Sequence, residues 1–233
     1  MTAAQAASVP LGRWPKTERS MGIGLLLPLG DGASFGTQPR FADVVDMALA
    51  AEAAGLDAVW LPDHFIFERD PQQPPLGIWE AWTTLAALAV RVPRITVGSL
   101  VTCLGWRNPG IVAKMAENLD EISDGRFVLG VGAGWHRPEY EMFHLPWDHR
   151  VGRFEDAISL ISPLLRTGRV DYQGTFFSAS GALNLPGGPR RDQAGPPILI
   201  GSNGPRMMRL TAQFADAWNS DWYPDPSGLA PQL

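Results

Sequence analysis

Short, uninterrupted apolar runs alternating with helix-period segments constrain this chain more than any other feature. Met21–Leu27, Ala58–Leu61, Ile95–Thr102, Phe127–Val131, Ile198–Ile200 and Ala217–Asn219 read as strands. Phe41–Ala54, Trp79–Val90, Pro109–Ile122, Arg150–Arg166 and Pro205–Phe214 read as helices set between them. Strands this apolar need cover on both faces, which predicts a parallel sheet, either doubly wound or closed as a barrel. The punctuation agrees: Gly55 stands where a helix ends in a left-handed residue, and Pro109 stands where one begins. Val170–Phe177 reads as an extra extended segment bent at Gly174, and Pro186–Pro197 as an irregular excursion. An eight-stranded barrel takes roughly 250 residues. With 233 residues and six countable strands, a barrel here is expected to stop before its last two strands.

Composition narrows the class. Hydrophobic residues make up 45% and charged residues 18%, enough to build a sizeable core. A net charge of −5 argues against a nucleic-acid partner. The one cysteine, Cys103, precludes an intrachain disulfide and fits a reducing compartment; it reads as a small strand-end hydrophobe. Residues 1–20 carry Arg13, Lys16 and Arg19 without an apolar stretch, and no segment approaches the roughly 20 apolar residues of a membrane helix. The expectation is a cytoplasmic protein with no membrane partner, a flexible arm over residues 1–20 and one domain over residues 21–233.

Ligands of parallel α/β proteins sit at the C-terminal strand ends, and several ends here are unusual. Gly132-Ala133-Gly134 follows the fourth strand, and its small residues let a flat or phosphorylated ligand approach the main chain. It lacks the dinucleotide-binding glycine spacing, because position 137 is Arg. Gly201-Ser202-Asn203-Gly204-Pro205-Arg206 places amides and a helix N-terminus at another end; it is either a plain strand-to-helix turn or an anion site. His64 follows the second strand, where it could transfer a proton or simply bond loop backbone. After the third strand, Arg107 reads as a salt-bridge partner in an ordinary loop. His64, His136, His144 and His149 match no standard zinc spacing, so no metal is expected. Trp106, Trp135 and Trp147 read as pocket wall or core.

Taken in order, these segments resemble the luciferase-like monooxygenase family, the flavin- and deazaflavin-dependent group of TIM barrels. The resemblance runs from residue 21 to about 223. It is carried by Glu52-Ala-Ala-Gly-Leu-Asp-Ala-Val-Trp-Leu-Pro-Asp-His64, by Arg107-Asn-Pro109 ahead of Leu119-Asp-Glu-Ile-Ser-Asp-Gly-Arg126, and by Leu129-Gly-Val-Gly-Ala-Gly-Trp135 with Glu139-Tyr-Glu141. Arg150, Phe154-Glu-Asp156, Pro196-Pro-Ile-Leu-Ile-Gly201 and Ala215-Asp-Ala-Trp-Asn219 complete it. The resemblance implies an α/β fold of the (β/α)8 TIM-barrel type, here truncated after about six β/α units. It implies an oxidoreductase holding FMN or coenzyme F-420 in the barrel mouth, with His64 as the catalytic proton donor or acceptor.

By the same resemblance, a non-proline cis bond at Ser99–Leu100 would back the ring and Gly132, Ala133 and Gly134 would line its side. Gly201, Ser202, Asn203, Gly204, Asn219 and Ser220 would then hold the phosphate. A monooxygenase using reduced FMN and oxygen on a small organic substrate is the leading expectation, with a reductase supplying reduced cofactor. The alternatives are F-420-dependent hydride transfer and a non-catalytic flavin-binding or dimerising module. Sugar-phosphate dehydrogenases of the deazaflavin branch carry a glutamate where this chain has Trp135, so that activity is not expected. A homodimer through Trp79–Val90 and Pro109–Ile122 is also expected.

Overall fold

The computed structural model describes residues 14–15, 21–30, 38–68, 72 and 74–220. Apart from Trp14 and Pro15, the N-terminal arm expected over residues 1–20 lies outside them. In chain order the elements are β1 (Gly24–Leu26), α1 (Phe41–Ala53), β2 (Ala58–Leu61), β3 (Ile66–Phe67), β4 (Leu76–Gly77) and α2 (Ala81–Arg91). Next come β5 (Thr96–Ser99), β6 (Thr102–Cys103), α3 (Pro109–Ile122), β7 (Phe127–Gly132), α4 (Arg137–Met142) and α5 (Arg150–Arg166). The last are β8 (Arg169–Gln173), β9 (Ser178–Leu183), β10 (Ile198–Gly201), α6 (Pro205–Phe214) and β11 (Ala217–Asn219), with a 3-10 turn at Arg191–Gln193 before β10.

The main sheet runs β1-β2-β5-β7-β10-β11, all parallel, with β6 as a second partner of β7. Its order follows the chain without reversal, which decides between the two parallel architectures. A doubly wound sheet reverses direction at a switch point and takes helices on both faces. Here the main core joins Val59, Leu61, Val97, Phe127, Leu129, Val131, Ile198 and Ile200 to side chains of α1, α2, α3, α5 and α6. The alternate residues, Ala58, Trp60, Val128 and Leu199, form a separate small cluster on the other face. Helices on one face of a singly wound sheet make a half-barrel, curled rather than closed.

Trp60 fills much of the inner face. A Cβ on Gly24 or Gly98 would come within 2.4 or 2.5 Å of its indole. Those two glycines on the neighbouring strands are therefore the space the indole occupies.

Two boundaries differ from the sequence reading for visible reasons. α2 begins at Ala81 because the Glu80 carboxylate caps it, accepting from the amides of Trp82 at 3.0 Å and Thr83 at 2.7 Å. The single strand expected over Ile95–Thr102 is broken into β5 and β6 by a cis peptide bond between Leu100 and Val101. This corrects the expected position, Ser99–Leu100. The Leu100 amide donates to the Leu61 carbonyl at 2.8 Å and the Ser99 hydroxyl to the Gly130 carbonyl at 2.8 Å. Ladder pairing thus runs through the Ser99–Leu100 peptide, and the irregular bond falls one residue later.

Val170–Phe177 proves to be one arm and the turn of the β8–β9 antiparallel hairpin. Its turn is held by Asp156 of α5, which accepts from the Phe176 amide at 2.6 Å and the Tyr172 hydroxyl at 2.8 Å. The short β3–β4 hairpin and α4 carry too few residues for periodicity to show them. Among the described residues, no helix is long and apolar enough to cross a membrane.

Glu80 supplies a stability test. Burial raises its carboxyl pKa, but the bonds from Thr83 and Trp82 and the charge of Arg107 outweigh that and hold it below its ordinary 4.5. A group depressed in the fold stabilises above its unfolded value, and that share is lost as pH falls through the folded value. Glu80→Ala should therefore cost about 1 kcal/mol at neutral pH, the usual worth of an N-cap. In urea melts, the gap between wild type and variant should narrow as the pH drops below 4.5; a gap that stays constant would show that the carboxylate charge contributes nothing.

Candidate active site at the C-terminal strand ends

Every parallel strand of the sheet ends on one side, and the loops there are fixed by buried carboxylates. Asp63, two residues after β2, accepts from Arg107 at 2.6 and 3.0 Å and from the Cys103 amide at 3.1 Å. Burial raises the Asp63 carboxyl pKa against the pull of Arg107. Arg107 also reaches Glu80 at 3.2 Å, so one guanidinium ties the loop after β2 to the loop after β6 and to the cap of α2. Arg107 is therefore the salt-bridge partner that its sequence position suggests.

Glu139 on α4 is the second such group and is fully buried. One oxygen accepts from the Phe65 amide at 2.5 Å and the Ile66 amide at 3.2 Å. The other lies 2.9 Å from His64 Nδ1 and 3.2 Å from His136 Nδ1. Only the His64 contact has hydrogen-bond geometry. Both ring nitrogens of His136 are buried without a partner. The candidate ligand atoms of His64, His136 and Glu139 all lie within 4.8 Å of one another. Spacing along the chain did not reveal this group, because His64 and the α4 pair belong to different β/α units.

His64 is held in a ring of aromatics. Its imidazole makes edge contacts with Phe67 at 5.6 Å, Trp135 at 5.7 Å and Trp106 at 6.2 Å between centroids. The His64 side chain keeps 17% of its surface exposed, and Trp135 keeps 61%, so this wall opens outward. Trp106 and Trp135 stand in this aromatic ring, and Trp147, packed on Tyr140 and under Arg150, lines a cleft with Phe176 and Arg206.

The remaining sequence candidates separate into two groups. Leu100, Ala133, Gly134, Gly201, Asn219 and Ser220 are partly exposed at the strand ends, and Asn203 and Gly204 are exposed. Gly132 is buried beneath Val101, whose methyl would meet a Cβ there at 2.8 Å and one on Gly201 at 3.2 Å. Val101 thus bridges the ends of β7 and β10. The hydroxyls of Ser99 and Ser202 are committed elsewhere. Ser99 bonds to Gly130 inside the sheet, and Ser202 Oγ lies 2.8 Å from Thr211 Oγ1 against α6. The Ser202 amide donates to the Asn219 carbonyl at 3.1 Å and its carbonyl accepts from Trp218 Nε1 at 2.9 Å, so its main chain is engaged as well. Arg206 turns to Glu155 at 2.5 Å, away from a role as free anion partner.

Sequence reasoning missed three groups: Glu139 and His136 beside His64, and the Thr102 hydroxyl, buried and unpartnered at the start of β6. The pattern Glu139-Tyr-Glu141 carried family resemblance but no hint of which carboxylate turns inward. In the structure Glu141 pairs with Arg137 at the surface, i to i+4.

The family model described as luciferase-like monooxygenase matches residues 21–230. A phthiodiolone/phenolphthiodiolone dimycocerosates ketoreductase of Mycobacterium kansasii is 34% identical over 188 residues, 73% of this chain and 50% of that one. An F420-dependent glucose-6-phosphate dehydrogenase of Microbacterium testaceum is 32% identical over 196 residues, 82% of this chain and 54% of that one. This chain thus spans about half the length of these relatives. Among solved structures, an F420-dependent secondary alcohol dehydrogenase in complex with an F420-acetone adduct superposes with a TM-score of 0.72 at 23% identity, covering 85% of this chain and 57% of that one. A type II Baeyer-Villiger monooxygenase component of Pseudomonas putida in complex with FMN gives 0.62 at 20%, covering 82% and 54%.

Cys103 bears on the chemistry by exclusion. Burial pushes its thiol up to about 12, and its Sγ lies 2.9 Å from the Tyr140 hydroxyl. A thiol that keeps its proton at neutral pH is a poor nucleophile. Cys103 should resist alkylation by iodoacetamide at pH 8 in the folded protein and react fully in denaturant; rapid modification of the folded chain would contradict the packing described.

Proposed function

This chain belongs to the luciferase-like monooxygenase family, and from that premise we propose that it is an oxidoreductase using coenzyme F-420 or FMN, with His64 moving the proton. Of the two branches we favour hydride transfer between a deazaflavin and a small carbonyl or alcohol substrate. The observation that carries this choice is His64 itself, a partly exposed imidazole in an aromatic wall with one nitrogen tied to a buried carboxylate. A histidine so held suits proton exchange with a substrate oxygen. The ketoreductase and F420-dependent relatives support the same branch.

The strand ends suit a planar phosphorylated ligand. Leu100, Ala133 and Gly134 would line the ring, with Gly132 covered by Val101 and the unpartnered Thr102 hydroxyl buried at the start of β6. The backbone of Gly201, Asn203 and Gly204, with Asn219 and Ser220, would hold the phosphate, while Ser202, whose amide and hydroxyl are engaged, shapes the loop. At Gly204 an added Cβ would meet nothing within 4 Å, and α6 starts there with no side-chain cap. Uncapped amides at a helix start favour an anion. When bound, the deazaflavin gives or takes a hydride, whereas reduced FMN with oxygen delivers an oxygen atom.

Oxygenation remains the second reading, supported by the FMN-bound monooxygenase of the same fold. It would require a reductase partner. Trp135, standing where sugar-phosphate dehydrogenases of this branch carry a glutamate, argues against a sugar phosphate as substrate. Val90 and Ile111 are 71% and 57% exposed on α2 and α3, which supports a homodimer through those helices. We place the protein in the cytoplasm, as one domain over residues 21–233.

Titration with F-420, FMN and riboflavin in a thermal melt tests cofactor and phosphate site together, since a ligand that binds only the folded state raises Tm with concentration. F-420 should give a saturable rise, and riboflavin none. His64→Asn should retain that rise while hydride transfer to a ketone panel falls by about 10² to 10⁴, the usual worth of a general acid or base. No shift with any of the three would overturn the assignment.

A further inference from the structure

The buried Glu139 has a use beyond fixing a loop. An ionised carboxylate only accepts hydrogen bonds, so the 2.9 Å contact with Oε2 requires the proton of a neutral His64 to sit on Nδ1. Its other oxygen is occupied by the amides of Phe65 and Ile66, the two residues after His64. The same side chain therefore sets the tautomer of the ring and the position of the backbone that carries it. Phe67, Trp106 and Trp135 close on the imidazole edge-on, and none of them competes for Nε2. Among the described residues, the hydrogen bonding of His64 is through Nδ1 alone.

We propose that Glu139 is a positioning residue: it holds His64 as the Nδ1–H tautomer and leaves the Nε2 lone pair as the atom that takes a proton from a substrate hydroxyl. This rests on the hydride-transfer reading above, with an alcohol and its carbonyl as the substrate pair. In the oxidation, the alcohol O–H bond breaks with its proton going to Nε2. The carbinol C–H bond breaks with its electron pair leaving as hydride to the oxidised deazaflavin, and the carbonyl forms. In reverse, the His64 imidazolium returns the proton to the carbonyl oxygen as hydride arrives at its carbon. Glu139 stabilises that imidazolium without taking its proton. His136 presents Nδ1 to the same oxygen at 3.2 Å but off the line of a hydrogen bond, so it does not compete for the role.

The tautomer is readable without any cofactor. Long-range nitrogen–proton NMR on the free chain should show His64 protonated at Nδ1, assigned with His64→Asn among four histidines. Glu139→Gln keeps a carbonyl for the two amides and turns an N–H₂ donor toward His64, which should move the proton to Nε2. Oxidation of isopropanol with F-420 should then fall at least a hundredfold in kcat, with the Tm rise from F-420 unchanged.

A wild-type His64 carrying its proton on Nε2 would overturn the proposal even if Glu139→Gln failed to fold. So would a folded Glu139→Gln whose kcat matched wild type. Because three ligand atoms lie within 4.8 Å, Zn²⁺ is added as a control. Ring signals of His64 and His136 that stay in place support the pair, and a stoichiometric shift of both to metal-bound positions overturns it. Failure of the functional reading looks different: the tautomer would be as described, with no response to F-420.

Discussion

A carboxylate taken out of water must be met by donors, and this molecule fixes its loops by that rule. Asp63 takes Arg107 and the Cys103 amide, and Glu139 takes His64 and two amides. Across the helical layer, Asp120 takes Arg190 at 2.6 Å, while Glu117 takes Arg191 at 2.7 Å and the Gly188 amide at 2.5 Å. Asp216 takes Arg166 at 2.7 Å and the Ile198 amide at 2.8 Å. For Asp120 and Glu117 the acids lie on α3 and their donors lie on the irregular segment over residues 186–197. Removing one partner would leave a buried charge, so these segments have little freedom to rearrange. The irregular chain over residues 186–197 is thereby tied to α3.

This division explains what the sequence could and could not disclose. α3, α5, α6, β2 and β11 run between the residues that their apolar spacing marks, because a helix stripe or a short apolar run is a local property. The break between β5 and β6 is not local, since it depends on where Leu61 and Gly130 stop pairing with the strand between them. The same holds for the site. His64 was legible as a polar residue just past an apolar strand. Glu139 was not, because Glu139 and Glu141 sit two apart on a short helix and only the approach of the loop after β2 distinguishes them. The family resemblance placed Ser99 at the bond behind the ring and Ser202 in the phosphate loop. The sheet and α6 claim their hydroxyls, a competition that chain order does not show.

The half-barrel also explains why small residues gather where they do. With helices covering one face, the inner face holds only Ala58, Trp60, Val128 and Leu199 as its buried cluster. One large indole lies across several strands and needs glycine at 24 and 98 to do so. At Gly130 the reason is different: a Cβ there would fall 1.9 Å from the Ser99 carbonyl. Just beyond this close approach of β5 to β7, Leu100 and Val101 pack against the inner-face cluster. Gly134 repeats the motif farther out, with φ +76° and Tyr140 and Cys103 crowding the place of a Cβ.

These constraints converge on the polarity of the mouth. Tyr140 and Cys103 pair with each other beneath Gly134, both held protonated by burial, and Arg150 donates to the Gly134 carbonyl beside them at 2.6 Å. Asp63 faces Arg107, and its charge is spent within the pair. Among the described residues, His64 is a titratable side chain left part-exposed in the aromatic wall, and it stands beside a carboxylate that pairs with no Lys or Arg. That wall presents Nε2 of His64 outward, with Glu139 holding the ring from behind through Nδ1.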